Sequence, residues 1–355
     1  MTVYRSKRAG RWKLGIFVAL AIAFLLLRGR LFENDITMIN NGALAQADPG
    51  WQTIRVLTAN VGNVNLRLRK KYNNKLSEQK VEHAISRNIQ ELKPDIVFLQ
   101  ELMHPSQCDD WIETDKNKVC YQAGLNAETN QARRLLGNEY SILCSSRMRQ
   151  EIGHPVGMEC IAVHINAGTI QGCQPGELCQ ASEGLDIVGS KCNPEFVVMS
   201  ANAQVRNVRI RLVNAHPHSR NIPCRDSALE QIFEGQSGIP ALADGQYTII
   251  AGDLNFDPFR APENMPAVWQ RHVGLFGSGK DFYYHSGLAE HSPPYPTVYF
   301  LLQKKTIDHV ISNFARGVCT TLGEAPGTLR IDGGEGMDHR AVFCEMWIPP
   351  NDLGT

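Results

Sequence analysis

Six stretches of this 355-residue chain end an apolar run in side chains that can bind a cation or move a proton. They are IRVLTAN ending at Asn60, DIVFLQE at Glu101, IRLVNAH with Asn214 and His216, and YTIIAGDLN with Asp253 and Asn255. Near the C-terminus come TIDHV with Asp308 and His309, then MDH with Asp338 and His339, one residue before AVFCEMW. Carboxylate and amide oxygens are hard donors that suit Mg²⁺ or Mn²⁺, and imidazoles beside carboxylates suit general acid and base work. Taken singly, each stretch reads as ordinary. Asn and Asp after a strand form turns, Glu101 reads as a solvated strand end, and His216 and His339 read as common polar residues. Six together do not, because strand ends converge on one edge of a sheet core. A zinc site on His216 and His218 is the weaker alternative, since H-x-H has no third ligand close in sequence.

Such ends need strands to position them. Val, Ile, Leu and Thr content predicts strands at Thr53–Thr58, Asp95–Leu99, Tyr140–Cys144, Cys160–Ile165, Phe196–Ser200, Val208–Val213, Tyr247–Ala251, Thr306–Ile311 and Ala341–Trp347. Helices are expected over Lys75–Leu92, whose apolar face is sparse, and Arg225–Glu234, with Ala228, Ile232 and Phe233 on one face. Cys173–Cys192 holds three cysteines in a Gly-, Gln- and Ser-rich stretch, and predicts a disulfide-stapled edge loop rather than a lid over substrate. A chain that is 43% hydrophobic and 20% charged has ample material for a core, which excludes disorder of the whole.

Charge is uneven along the chain. Seven of the 36 Lys and Arg lie in residues 1–31, which contain no acid, so the rest carries 29 basic against 36 acidic residues. A body of net charge −7 argues against a protein that holds nucleic acid by bulk electrostatics; no stable nucleic-acid partner is expected, and a transient substrate is compatible. Leu14–Leu27 is apolar throughout and follows five basic residues. As a helix it would span about 21 Å, short for a bilayer core but suited to a signal peptide. It is either removed, near Ala43-Leu44-Ala45 or Ala45-Gln46-Ala47, or kept as a short membrane anchor with its basic side in the cytoplasm. Both alternatives export the domain, to a periplasmic or extracellular location. All ten cysteines follow this segment and none forms C-x-x-C, which predicts disulfides and argues against a zinc ribbon. Cys319 and Cys344, on two late strands expected to be neighbours, are expected to pair. The chain thus divides into the basic, apolar N-terminus (1–31), a linker (32–51), a catalytic domain (52–349) and a tail (350–355).

In order, T-x-N at Thr58–Asn60, Q-E at Gln100–Glu101, N-x-H at Asn214–His216, G-D-x-N at Gly252–Asn255, I-D-H at Ile307–His309 and D-H at Asp338–His339 resemble the motifs of the endonuclease/exonuclease/phosphatase superfamily. The resemblance covers Gln52 to Pro349. It implies a DNase I-like α/β fold, a four-layer sandwich of two packed mixed β-sheets flanked by helices, and metal-dependent hydrolysis of a phosphate ester. It implies Glu101 as the principal ligand of Mg²⁺ or Mn²⁺, with Asn60 beside it and Asp338 near the metal. Asp253 and Asn255 would position the water and the scissile phosphate. His216 and His339 would flank the phosphate, with Asp308 orienting His339, Glu139 as the carboxylate supporting His216, and Asn214 in a supporting place.

The N-x-H form is that of the DNase I and sphingomyelinase branches. Met158 and Glu159 stand where the DNase I branch has a phosphate-engaging arginine, which weakens a double-stranded DNA reading. His309, often aromatic in relatives, would be a packing variation. The function expected is an exported phosphodiesterase, nuclease-like. The alternative is a phospholipase C or sphingomyelinase acting on membrane phospholipid, held near it by residues 14–27. A catalytically silent binding module is a third reading, against which the intact carboxylates and imidazoles count.

Overall fold

Strands with two apolar faces need cover on both sides, and this chain supplies it with four layers. The computed structural model describes residues 50–62, 78–103, 105, 117–119, 130–145, 150–151, 154–155, 158–180, 186–187, 192, 198–236, 238–274, 281–284, 294–300, 303–314, 316–334 and 337–349. The apolar segment 14–27, Cys108 and Cys120 lie outside the described residues.

The first sheet contains β1 (Gln52–Asn60), β2 (Ile96–Leu102), β3 (Tyr140–Cys144), β4 (Met158–His164), β6 (Leu178–Gln180), β12 (Arg316–Thr321) and β13 (Val342–Ile348), in the order β12-β13-β1-β2-β4-β3-β6. The second contains β5 (Gly168–Ile170), β7 (Val198–Val205), β8 (Val208–Ala215), β9 (Thr248–Asp253), β10 (Tyr283–Tyr284) and β11 (Asp308–Ser312), in the order β10-β11-β9-β8-β7-β5. Alternation assigns the faces: Ile54, Val56, Ile96, Phe98, Ile161, Val163, Cys344 and Met346 of one sheet pack against Met199, Ala201, Ile210, Leu212, Ile249 and Val310 of the other. The outer face of the first sheet, with Leu57, Ala59, Val97 and Leu99, is covered by Val81, Ile85 and Ile89 of α1 (Gln79–Leu92) and by Leu135 of α2 (Gln131–Leu136). On the second sheet, Val213, Ile250 and Ile311 meet Leu229 and Ile232 of α3 (Ile222–Phe233) and Trp269 of α4 (Ala267–His272). Truncating one of these fully buried aliphatics to alanine costs about 2–5 kcal/mol.

Strand direction brings the polar ends together. β1 and β2 are parallel, as are β8 and β9, so Asn60, Glu101, His216 and Asp253 emerge at carboxyl ends. β4, β11 and β13 run antiparallel to β2, β9 and β1, so their first residues reach the same end. Asp308 lies opposite Asp253 in the ladder.

The strands run up to several residues beyond the apolar runs, because the ladder continues into the polar ends. α3 begins three residues before the expected Arg225, since the Asn221 side chain accepts from the Cys224 N–H at 3.1 Å and caps it. α1 ends where Lys93 turns left-handed (φ 48°) before Pro94. Within the cysteine-rich stretch, Cys173 and Cys179 are bonded and β6 adds a parallel edge strand to β3, so this part is sheet edge rather than free loop. Cys144–Cys160, Cys192–Cys224 and the expected Cys319–Cys344 are also bonded, the last across facing positions of β12 and β13. These bridges fit an oxidising compartment. Among the described residues no helix is long and apolar enough to cross a membrane.

Candidate active site

The floor of the site is a buried polar network between the sheets. Gln100, on the inner face of β2, donates to Thr58 Oγ1 (3.2 Å) and to Asn214 Oδ1 (2.8 Å). The Asn214 amide donates in turn to the carbonyls of Leu99 (3.0 Å) and Cys160 (2.9 Å). Those carbonyls flank a β-bulge: Leu99 pairs with Cys160, but Leu102 pairs with Met158, so β2 carries one extra residue. The bulge turns Glu101 to φ 58° and re-aims its carboxylate, which lies 3.6 Å from His216 Nε2. It also lies over Gly62, where any Cβ would collide with it. Asn214 therefore acts from below, by holding the bulge that presents Glu101.

Two imidazoles are each anchored through Nδ1 by a buried carboxylate. His216 Nδ1 is 3.0 Å from Glu159, and His339 Nδ1 is 2.9 Å from Asp308. An ionised carboxylate only accepts, so the hydrogen sits on Nδ1 and both Nε2 atoms face inward. Each Nε2 lies 3.6 Å from the same atom, Asp253 Oδ2. That oxygen also accepts from the Asn60 amide (3.1 Å), while Oδ1 accepts from the Asn255 N–H (2.9 Å). Burial pushes the Asp253 carboxyl up to about 7; His339 opposes the rise, Asp308 adds to it, and the hydrogen bonds from Asn255 and Asn60 oppose it. Burial alone would lower the His339 pKa, but Asp308 and then Asp253 hold it well above that of an ordinary imidazole.

Local geometry explains the residue types. Gly252 has φ 140°, and a Cβ there would strike the Ala215 carbonyl, so only glycine lets β9 approach β8 beside His216. Asn255 is left-handed (φ 56°), and its amide donates to the Pro217 carbonyl at 2.9 Å, tying G-D-L-N to the segment after His216. His339 is set by a bridge to Val298 and by the bond from the Arg340 N–H to the Thr297 carbonyl. Thr297 Oγ1 also accepts from the Ile307 and Asp308 N–H groups.

Of the residues singled out in the sequence, Asn60, Glu101, His216, Asp253, Asn255, Asp308 and His339 meet at this end, with Asn214 beneath them. Asp338 is exposed beside His339. Glu139 is elsewhere: its exposed side chain lies 3.5 Å from His164, at the far end of β4. Five residues of strand, about 17 Å, separate that end from Glu159. Glu159 occupies the place expected of Glu139 because positions 159, 161 and 163 share the inner face of β4. That period-2 signal, with Ile161 and Val163, was open to sequence reading. His309 lies on the opposite face of β11 from Asp308, among aromatic rings.

The donor set fits a hard divalent cation. Glu101, Glu159, Asp253 and Asp308 bring four carboxylates to one end, paired as described with imidazoles, and a divalent cation would offset the negative charge gathered there. Ligand atoms of Asp253, Asp308 and His339 also lie within 4.8 Å of one another, but Asp308 contacts His339 Nδ1 through both oxygens (2.9 and 3.1 Å). That grouping therefore reads as an oriented acid–imidazole pair. The Cys173, Glu177 and Cys179 grouping is closed by its disulfide.

No family model matches the chain, and no curated protein matches it. Solved structures do. An endonuclease/exonuclease/phosphatase family protein from Bacteroides thetaiotaomicron aligns with TM-score 0.53 at 13% identity, covering 86% of this chain and 98% of its own. One from Leptotrichia buccalis gives 0.51 at 14%, covering 82% and 99%. Truncated Caenorhabditis elegans TDP2 gives 0.51 at 15%, covering 83% and 98%. The fold is the DNase I-like α/β sandwich of these proteins.

Proposed function

We propose that the chain is a divalent-metal-dependent phosphodiesterase that acts outside the cytoplasm. One observation carries the reading: Asp253 Oδ2 faces the Nε2 atoms of two imidazoles, each held at Nδ1 by its own buried carboxylate. A purely structural cluster has no need of two inward-facing nitrogens around one acid of raised pKa. Glu101 and Asn60 would hold the cation, with Asp338 near it, and the cation would supply positive charge for the phosphate oxygens and the leaving oxygen. Asp253, poised near neutrality, orients the attacking water and takes its proton as the new P–O bond forms. The His339 imidazolium donates to a non-bridging oxygen or to the ester oxygen as the old P–O bond breaks, while Asp308 steadies its charge. His216, oriented by Glu159, faces the phosphate from the other side, and Asn255 keeps Asp253 aimed. The disulfides support an exported location, and the segment 14–27 supports delivery there or retention at the membrane.

The test is hydrolysis by the purified full chain of bis(p-nitrophenyl) phosphate, single-stranded DNA, plasmid DNA and sphingomyelin, with Mg²⁺ or Mn²⁺ and with EDTA. Turnover abolished by EDTA and by Glu101→Ala, and reduced about a hundredfold or more by Asp253→Asn and by His339→Ala, supports the reading. Full activity in EDTA overturns the metal, and no hydrolysis of any substrate overturns the enzyme in favour of a binding module. The substrate cleaved fastest separates a nuclease from a lipid phosphodiesterase.

A further inference from the structure

Two buried side chains with no part in this chemistry hold consecutive carbonyls of the segment that carries Asp253 and Asn255. Arg225, on α3, directs Nη1 at the Asn255 carbonyl (3.4 Å) and Nη2 at the Asn264 carbonyl (3.1 Å). Its guanidinium lies 5.6 Å from the centre of the Phe256 ring and pairs with Asp226 at 3.0 Å. From the other side, His309 Nε2 lies 3.1 Å from the Phe256 carbonyl. A carbonyl only accepts, so Nε2 carries the hydrogen. Burial lowers the pKa of this ring, and Nδ1 has no hydrogen-bond partner among the described residues, both of which agree with a neutral imidazole. The rings of Phe256, Trp269, Tyr284 and Phe259 wall it at centroid distances of 5.5, 5.5, 5.6 and 6.3 Å. Packing alone asks only for an aromatic ring here; the bond to Phe256 asks for a donor at Nε2.

We propose that Arg225 and His309 are a pair of positioning residues, gripping the Asn255 and Phe256 carbonyls from two sides so that Asn255 stays left-handed. Asn255 is not glycine, and although asparagine tolerates this conformation better than other side chains, contacts to its neighbours decide how firmly it is held. While it holds, the Asn255 N–H aims Asp253 Oδ1 and its amide ties to Pro217; released, Asp253 loses that bond and its orientation towards both imidazoles. The inference rests on the phosphodiesterase reading for its kinetic consequence, but not for its structural one.

Four variants of the full chain test it: His309→Phe, which keeps the ring and removes the donor; His309→Gln, whose amide nitrogen reaches the position of Nε2; Arg225→Lys, which keeps charge without the fork; and Arg225→Met. Three measurements apply: thermal melting, hydrolysis of bis(p-nitrophenyl) phosphate with Mn²⁺, and amide hydrogen exchange over residues 252–264. The expectation is that His309→Phe and Arg225→Lys lower kcat about tenfold or more with KM within about twofold, and that exchange over 252–264 rises. His309→Gln should recover kcat to within about threefold of wild type. Unchanged kcat and exchange in His309→Phe and Arg225→Lys would overturn the proposal, as would a His309→Gln protein no better than His309→Phe. Should His309→Phe fail to fold, Arg225→Lys and His309→Gln decide it. A wild-type chain inactive on every substrate would sink the phosphodiesterase reading alone, because exchange still reports whether the segment is held.

Discussion

The substitution Glu159→Gln removes a negative charge from beneath His216 while preserving the side chain's shape. Both side chains are about 2% exposed, and Oε1 lies 3.0 Å from Nδ1, so little water screens the pair. Unit charges about 4 Å apart, centre to centre, attract by about 4 kcal/mol at the effective dielectric of a protein site. That attraction acts on the protonated ring, so the variant withdraws it from a His216 imidazolium facing the substrate. The amide introduced at position 159 would also offer an N–H to Nδ1, turning the hydrogen to the inward nitrogen. Turnover should fall by two to four orders of magnitude, about 2.7–5.5 kcal/mol of barrier, which brackets the electrostatic figure. Glu139→Gln is the matched control: its side chain is 78% exposed at the far end of β4, and both turnover and stability should be unchanged. Steady-state hydrolysis of bis(p-nitrophenyl) phosphate at saturating Mn²⁺, with thermal melting of each variant, makes the comparison. A Glu159→Gln enzyme within threefold of wild type would refute the reasoning, as would an equal loss in Glu139→Gln.

Three further outcomes follow from the geometry. Gly62→Ala places a methyl group against the Glu101 carboxylate, so divalent-ion binding by titration calorimetry should weaken at least tenfold while the fold persists; unchanged affinity would separate Glu101 from the metal. Cys319 and Cys344 close a loop of sequence separation 25. Chain entropy assigns such a bridge about 3.5 kcal/mol, so Cys319→Ser with Cys344→Ser should lower urea-unfolding stability by roughly that amount, and non-reducing peptide mapping of the exported protein should recover the linked pair. Asp332 would be raised by burial, but the Met337 and Gly334 N–H groups and Arg330 hold it below the usual carboxylate range. Its ionised form therefore stabilises the fold above its unfolded pKa, and this contribution is lost as pH falls through the lower folded value. Asp332→Asn should be less stable than wild type near pH 7, and the two should converge in acid; a gap that does not narrow contradicts the assignment.

Apolar strands and their polar ends were legible because both are local: runs of Val, Ile, Leu and Thr marked β1, β8 and β9, and the ladder register then placed Asn60, His216 and Asp253 at one end. Glu101 was legible as a polar strand end, but its aim was not, since it depends on a bulge held by Asn214 from the other sheet. Glu139 was misassigned because it precedes a clear strand. Glu159 begins one as well; alternation with Ile161 and Val163 marks its inner face, and the antiparallel pairing of β3 with β4 sets which strand start lies at the end of the site. The edge strand β6 was hidden by its Gly- and Gln-rich surroundings, since its pairing with β3 owes nothing to apolar alternation. The grip on Asn255 was unreadable for the same reason: Arg225 and His309 meet the segment from elements far apart in sequence.

The anchoring of both imidazoles from within the sheets has an evolutionary consequence. The carboxylates that orient them sit on β4 and β11, and the acid they face closes β9, so the three acids of the constellation belong to the ladders. Past His216, the chain leaves this end of the sandwich through connections such as 218–221 before α3, which supplies neither of those carboxylates. Such connections can diverge, lengthen or be exchanged with those of another scaffold without moving one of these acids. The acids and the connections are thus separately heritable, and grafting connections would leave the acids of the site in place.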